Sequence, residues 1–176
     1  LWLTEDLHQF NMDNLQERIA KIKYVLTDCD GVLTDGGVYY GEHGEYLKKF
    51  NIRDGMGVER LRKLASIETG IITGESSPSV VKRADKLGIL ELNLGVKEKK
   101  GVVNRILKRY HLKIEELAYI GDDVNDLVVR SLIGVFFCPS DALKQVKNEA
   151  DVILTLKGGQ GCFREMAEMI LEAKGL

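Results

Sequence analysis

A mainly parallel β-sheet covered by helices on both faces, with one β-hairpin added, is the fold class that the sequence predicts. Three observations predict it. Short apolar runs alternate with amphipathic segments of helical period over most of the chain. Proline and glycine punctuate that alternation where helices begin and end. Polar residues follow three of the apolar runs, on the edge where an open α/β sheet places its ligands.

The elements follow in order. "NLQERIAKI" carries apolar residues at helical spacing and predicts a short amphipathic helix. "KYVLTD" reads as a buried strand over Tyr24 to Thr27. "GVYYGEHGEYLKKFNI" reads as a hairpin, its aromatic and β-branched runs flanking the turn "GEHG". "GMGVERLRKLA" is a helix and "IETGIIT" a strand. "SPSVVKRADKLG" is a helix with Pro78 suited to its first turn and Gly88 to its C-terminal cap. There follow the strand "ILELNL", the helix "KEKKGVVNRILKRY", the strand "LAYIG" and the helix "DVNDLVVRSL". "GVFFC" is a strand, "DALKQVKNEA" a helix, "DVILT" a last strand and "GCFREMAEMILEA" a last helix. With right-handed crossovers these elements make a Rossmann-like three-layer sandwich.

The 176 residues suit one domain over 21–176, preceded by an N-terminal extension and helix over 1–20. Residues 1–11 fit the pattern poorly, and Met12 is a candidate first residue behind them. The formal charge of −2 gives no global field to recruit nucleic acid or an anionic membrane. No apolar run approaches a membrane span and no leader pattern stands out, so the expected location is cytoplasmic. Cys29, Cys138 and Cys162 are odd in number and lack paired metal spacing, which argues against a disulfide framework or a structural zinc site. Cys29 is expected in the core, without chemistry.

The chemistry starts at "VLTDCDGVLTDGG", where Asp28 and Asp30 stand two residues apart at a strand end. Carboxylates that close repel, so something positive or a shared proton must justify them. Asp28 and Asp122, from different strands, suit a hard divalent cation such as Mg²⁺. Asp28 then suits the role of nucleophile, and Asp30 that of general acid and then base. Gly31 lets the backbone turn away tightly. Thr73 and Gly74 offer a hydroxyl and N–H groups for a phosphate, and Lys99 a cation for the transferring group. Each motif alone has a bland explanation: a surface Asp-x-Asp, a strand end, an acidic first turn. Those explanations fail together, because every motif falls at the carboxyl end of a strand.

The motifs "DCDGVLTDG", "ITGES", "KEKK" and "GDDVND" resemble those of the haloacid dehalogenase superfamily of aspartate-nucleophile phosphatases. From about residue 20 onward, "DGVLTDGGVYY", "HGEYLKKFNIRDGMGV", "AYIGDDVNDL" and "GGQGCFREMAEMI" are similar to the 3-deoxy-D-manno-octulosonate 8-phosphate (KDO 8-phosphate) phosphatase family, which includes phosphatases of nine-carbon ulosonic acids. The resemblance implies a capless haloacid-dehalogenase-like fold, Asp28 as nucleophile and Asp30 as acid/base. It implies Mg²⁺ held by Asp28, the backbone carbonyl of Asp30, and Asp122. Thr73, Gly74 and Lys99 would grip phosphate, with Asp123 and Asp126 supporting the metal or Lys99 from behind. A homotetramer is implied, built by the hairpin around 37–50, with the Gly158–Gly159 region and Arg164 folding over an adjacent site.

One departure bears on the substrate. Family members acting on the eight-carbon acid often carry arginine after the strand-end glycine, where this chain has Glu75. Arginine would pair a substrate carboxylate bidentately, whereas glutamate accepts from hydroxyl or amino groups. Lys86, farther along the same helix, is a compensating cation. Glu75 thus resembles the pattern of phosphatases for 2-keto-3-deoxynononate (KDN) 9-phosphate or N-acetylneuraminate 9-phosphate, or it merely caps the helix. KDO 8-phosphate stays ahead on overall similarity. Two readings of other classes stand beside these: a phospho-receiver, and a catalytically idle assembly module of a sialate-activating enzyme. Receivers put the phosphorylated aspartate on a middle strand, which this order does not match.

Overall fold

The computed structural model describes residues 14–176. Its elements are α1 (14–20), β1 (Tyr24–Thr27), β2 (Thr34–Gly41), β3 (Gly44–Phe50), α2 (Ile52–Ala65), β4 (Glu68–Ile72), α3 (Pro78–Leu87), β5 (Glu91–Asn93), α4 (Lys99–Arg109), β6 (Leu117–Ile120), β7 (Val135–Cys138), α5 (Lys144–Glu149), β8 (Val152–Ile153) and α6 (Cys162–Ala173). The part of the expected extension that falls in 1–13 lies outside the described residues. No helix among the described residues is long and apolar enough to cross a membrane.

The central sheet has six strands in the order β5-β4-β1-β6-β7-β8, all pairs parallel. The chain leaves β1 toward β4 and β5, then returns to the other side of β1 for β6, β7 and β8. This reversal opens a crevice beside β1, the position where such sheets bind ligands. Register makes the crevice level. Thr27 pairs with Ile71 on one side and Ile120 on the other, so three strands end together.

Both faces of the sheet are covered, because successive side chains alternate between them. Val25, Ile71, Ala118, Ile120 and Phe137 pack with Ile19 of α1, Val58 and Leu61 of α2, Val80 of α3 and Phe163 and Met166 of α6. Leu26, Ile72, Leu117, Tyr119 and Phe136 face the other way, onto Val103 and Ile106 of α4, Val129, and Val146 of α5. All three cysteines are buried free thiols, and Cys29 lies in the first of these cores.

Pro78 stands in the first turn of α3 and Gly88 ends it at φ 63°, as the sequence predicts. Some expectations shift, α5 beginning at Lys144 rather than Asp141 among them. The segment "DVNDLVVRSL" is a 3₁₀-helix over Val124–Leu132 and not an α-helix. Its first turn is tightened by a bond from the Asp126 N–H to the Asp123 carbonyl at 3.0 Å, while the Asp126 side chain is drawn back to earlier N–H groups. Helix α2 begins at Ile52, ahead of the predicted Gly55, because Asn51 caps it by accepting from the Arg53 N–H at 2.9 Å.

The hairpin β2–β3 forms a separate antiparallel sheet with irregular register. Tyr39, Tyr40, Tyr46 and Leu47 are exposed on it, while Lys48 is buried. The loop after β1 is braced by the glycine-rich strap ahead of α6. The Gly159 N–H donates to the Val32 carbonyl at 2.9 Å, and the Cys162 thiol donates to the same oxygen at 3.3 Å. A Cβ at Gly158 would lie 1.9 Å from the Gly31 carbonyl oxygen, so the strap approaches as only glycine allows. Gly158→Ala is expected to lower stability by about 1–3 kcal/mol in urea unfolding. Gly41→Ala, whose Cβ would meet nothing nearer than 4.0 Å, should stay within about 0.5 kcal/mol.

Candidate active site

Asp28 leaves the end of β1 buried, with its N–H donating to the Ile120 carbonyl of β6 at 2.9 Å. Its Oδ1 accepts from the Cys29 N–H at 2.7 Å, and its Oδ2 lies 3.2 Å from Lys99 Nζ. Lys99 is the first residue of α4, whose N-cap Glu98 accepts from the N–H groups of Lys100 and Gly101. The lysine side chain is 1% exposed, a burial that requires partners. It has three: Asp126 Oδ1 at 2.6 Å, Asp28 Oδ2 and the Tyr119 hydroxyl at 3.2 Å. Burial pulls its pKa down, but the charges of Asp28 and Asp126 outweigh this and hold it above the usual lysine value.

Asp126 is fully committed. Its Oδ1 also accepts from the Tyr119 hydroxyl at 2.6 Å, and its Oδ2 from the N–H groups of Asp122 and Asp123 at 3.0 and 3.3 Å. A Cβ at Gly121 would sit 2.4 Å from this carboxyl group, so the glycine makes the space for it.

Asp122 brings the third carboxylate. Carboxylate oxygens of Asp28, Asp122 and Asp126 lie within 4.8 Å of one another. One lysine does not balance three such charges. Burial pushes Asp122 up to about 8, with Asp28, Asp126 and Asp123 adding to it. Burial likewise pushes Asp28 up to about 7, Asp126 adding and Lys99 opposing. Asp122 Oδ1 is buried without a hydrogen-bond partner among the described residues. A Cβ at Gly31 would fall 2.0 Å from Asp122 Oδ2, so this glycine, at φ 82°, is required both for its turn and for the carboxylate lying against it. Asp126 has no oxygen to spare, which leaves Asp28 and Asp122 as the side chains suited to a hard cation.

Asp30 faces a different lysine. Its Oδ1 accepts from Lys48 Nζ of β3 at 2.6 Å and from the Thr34 hydroxyl at 3.3 Å, while its Oδ2 is buried and without a partner. The two aspartates of the Asp-x-Asp pair thus have one ammonium each, supplied by different elements.

These groups line a cleft of about 190 Å³ formed by Asp28, Asp30, Thr73, Gly74, Glu75, Asp122, Asp123 and Asn125. Thr73, 1% exposed, follows β4 directly and accepts at its hydroxyl from the Glu75 N–H at 3.3 Å. A Cβ at Gly74 would make only ordinary contact, with the Val96 carbonyl oxygen at 3.8 Å. Asp123 caps the 3₁₀-helix through the Val124 N–H at 2.6 Å, so Lys99 is supported by Asp126 alone of that pair.

Two anticipated residues lie outside the cleft. Lys86 is on an adjoining groove of about 470 Å³ with Lys48, Phe50, Lys82 and Arg83. Arg164 is engaged with Glu168 Oε1 at 2.6 Å, and the Gly158–Gly159 strap packs on its own chain's loop. Sequence reasoning missed Lys48, Tyr119 and Asn125. Asn125 lay in the quoted "GDDVND", and Lys48 was legible only as an inward position of the hairpin.

The chain is similar over most of its length to known proteins. A family model for haloacid dehalogenase-like hydrolases matches residues 64–164. The 3-deoxy-D-manno-octulosonate 8-phosphate phosphatase KdsC of Haemophilus influenzae is 42% identical over 161 residues, covering 92% of this chain and 89% of that protein. Its counterpart in Escherichia coli K12 is 37% identical over 158 residues, 90% and 84% of the two chains. The solved structure of the Moraxella catarrhalis 3-deoxy-D-manno-octulosonate 8-phosphate phosphatase, in complex with magnesium, phosphate and KDO, superposes with a TM-score of 0.89 at 34% identity over 93% of this chain and 94% of that one. The cobalt-bound Haemophilus influenzae structure gives 0.87 at 42% identity, covering 90% and 92%. The chain belongs to the haloacid dehalogenase-like hydrolases, within their 3-deoxy-D-manno-octulosonate 8-phosphate phosphatase family.

Proposed function

We propose that this chain is a Mg²⁺-dependent phosphomonoesterase that acts on a 3-deoxy-2-ulosonate phosphate, KDO 8-phosphate first, through an aspartyl-phosphate on Asp28. The observation that carries the reading is the meeting of Asp28 and Asp122 at one cleft, with the buried Lys99 against Asp28 and with Thr73 and Gly74 on the cleft wall.

The acidic set fits a divalent cation: its charge is in excess, Asp122 Oδ1 lacks a partner, and all ligands are hard oxygens. Asp28, Asp122 and the backbone carbonyl of Asp30 would hold Mg²⁺, which when bound offsets the charge of both aspartates and phosphate. Asp28 attacks phosphorus while Asp30 delivers a proton to the departing ester oxygen. Asp30 then takes a proton from the water that cleaves the aspartyl-phosphate. Lys99, the Thr73 hydroxyl and the N–H groups beyond it bind the phosphoryl oxygens.

A cleft of about 190 Å³ holds a phosphate more readily than a whole sugar acid. The sugar therefore extends outward, past Glu75 and toward the groove carrying Lys82, Arg83 and Lys86. Those cations suit a substrate carboxylate. Glu75 at the cleft favours the nine-carbon acids, KDN 9-phosphate or N-acetylneuraminate 9-phosphate, as the second reading. The exposed Tyr39, Tyr40, Tyr46 and Leu47 of the hairpin form an apolar surface that supports self-association into a homotetramer.

Phosphate release from the three ulosonate phosphates, measured side by side with Mg²⁺, tests the reading. Steady turnover of at least one is expected, with Asp28→Asn reducing it by about 10³-fold or more. Near wild-type turnover in that variant contradicts it. Glu75→Arg should shift preference toward KDO 8-phosphate, and an unaltered preference removes Glu75 from specificity.

The metal also predicts a pH dependence of stability. Asp28 and Asp122 have folded pKa values of about 7 and about 8, raised above the unfolded value. Their contribution is fully present below about pH 4 and is lost as pH rises through the folded values. In EDTA, stability should therefore decline between pH 5 and 8. Saturating Mg²⁺ should remove most of the decline, adding about 2.7 kcal/mol at a hundredfold excess over its Kd. Asp54, raised to about 6 mainly by burial, tilts both curves alike, so their difference isolates the acidic cluster. Parallel pH curves in EDTA and Mg²⁺ contradict the assignment.

A further inference from the structure

The hairpin brings a side chain to the cleft that no motif announces. Lys48 lies in the middle of β3, paired with Val38 of β2, and its side chain is 0% exposed. Its ammonium meets Asp30 Oδ1 at 2.6 Å and Glu45 Oε2 at 3.4 Å. Glu45 in turn accepts from the hydroxyl of Ser77, the residue before α3. Ser77 has a cap's position but makes no capping bond with its side chain, because that hydroxyl is given to Glu45. The chain Asp30–Lys48–Glu45–Ser77 therefore runs from the cleft through the hairpin to α3. On Asp30 it fixes one carboxylate oxygen, which Lys48 and Thr34 share, and leaves the other without a partner.

We propose that Lys48 is a positioning residue for proton transfer: by holding Asp30 Oδ1 it fixes the Asp30 carboxyl group at the wall of the cleft where the ester oxygen departs. This rests on the phosphatase reading and deepens it. In the first step the Asp28–phosphorus bond forms, the phosphorus–ester oxygen bond breaks, and a proton passes from the Asp30 carboxyl group to that oxygen. A buried ammonium costs free energy unless it is paired, and both ionic partners of Lys48 are carboxylates. Glu45 shares its charge, so Lys48 acts as a fixed fork between two acids. A lysine on the exposed hairpin surface would place nothing.

The role makes the substrate's leaving group the reporter. Proton delivery matters for a sugar alkoxide and little for p-nitrophenolate, which departs as a stable anion. General acid catalysis is worth about 10² to 10⁴-fold. Lys48→Met is expected to lose about 10²-fold more kcat on KDO 8-phosphate, or on whichever ulosonate phosphate the wild type turns over, than on p-nitrophenyl phosphate. Lys48→Arg should recover part of the difference. A merely structural role lowers both rates together, and equal losses in a variant that retains its melting transition overturn the proposal. Should Lys48→Met not fold, Glu45→Gln decides at the other end of the chain. A smaller shift of the same ratio supports the proposal, and an unchanged ratio overturns it. If the wild type hydrolyses neither class of phosphate, the phosphatase reading has failed instead, and the two failures are distinct.

Discussion

The cluster of Asp28, Asp122 and Asp126 at the cleft depends on one buried cation. The Lys99 ammonium sits against Asp126 at 2.6 Å and Asp28 at 3.2 Å, with the Tyr119 hydroxyl as third partner. Desolvating such an ion costs several kcal/mol, and its attraction to the acids repays this only in good geometry. The surroundings supply that geometry. Asp126 receives four donors, Gly121 yields the space for its carboxyl, and β1 holds Asp28 level with the ends of β4 and β6. Such a network contributes little net stability. It fixes where charge stands, which is what transfer of a highly charged group requires.

The same logic explains how an Asp-x-Asp pair is tolerated. Asp28 has Lys99 from α4, and Asp30 has Lys48 from the hairpin. The two ammonium groups approach from separate elements, and Gly31 allows the turn between the carboxylates while leaving room for Asp122. The strap at Gly158–Gly159 fills the space behind that turn, so the loop that carries Asp28 is fixed by backbone on one side and by charge on the other. The hairpin has two faces with different work: aromatic residues exposed outward, and Lys48 turned in.

Much of this was legible in the sequence because it is local. The strand ends at Asp28, Thr73 and Asp122, the start of α4 at Lys99 and the caps at Pro78 and Gly88 follow from period and punctuation. What was not legible is non-local. Lys48 lies 18 residues from Asp30, in a run "LKKF" where Lys49 is a surface residue of identical chemistry. Only the hairpin's register decides which lysine turns inward. Tyr119 reads as an ordinary strand residue until α4 brings Lys99 onto it. The 3₁₀ form of 124–132 escaped because its apolar spacing is equally helical, and the tightening comes from Asp126 turning back on the chain. Arg164 carried an expectation from the resemblance, whereas within one chain it is bound to Glu168.

The central claim is that Asp28 accepts the phosphoryl group, and trapping that species tests it most directly. Enzyme mixed with KDO 8-phosphate radiolabelled on phosphorus and Mg²⁺, quenched in acid within milliseconds, digested and sequenced to the residue, should carry the label on Asp28. Label on Asp30, on Asp122 or on any residue away from β1 would contradict the account.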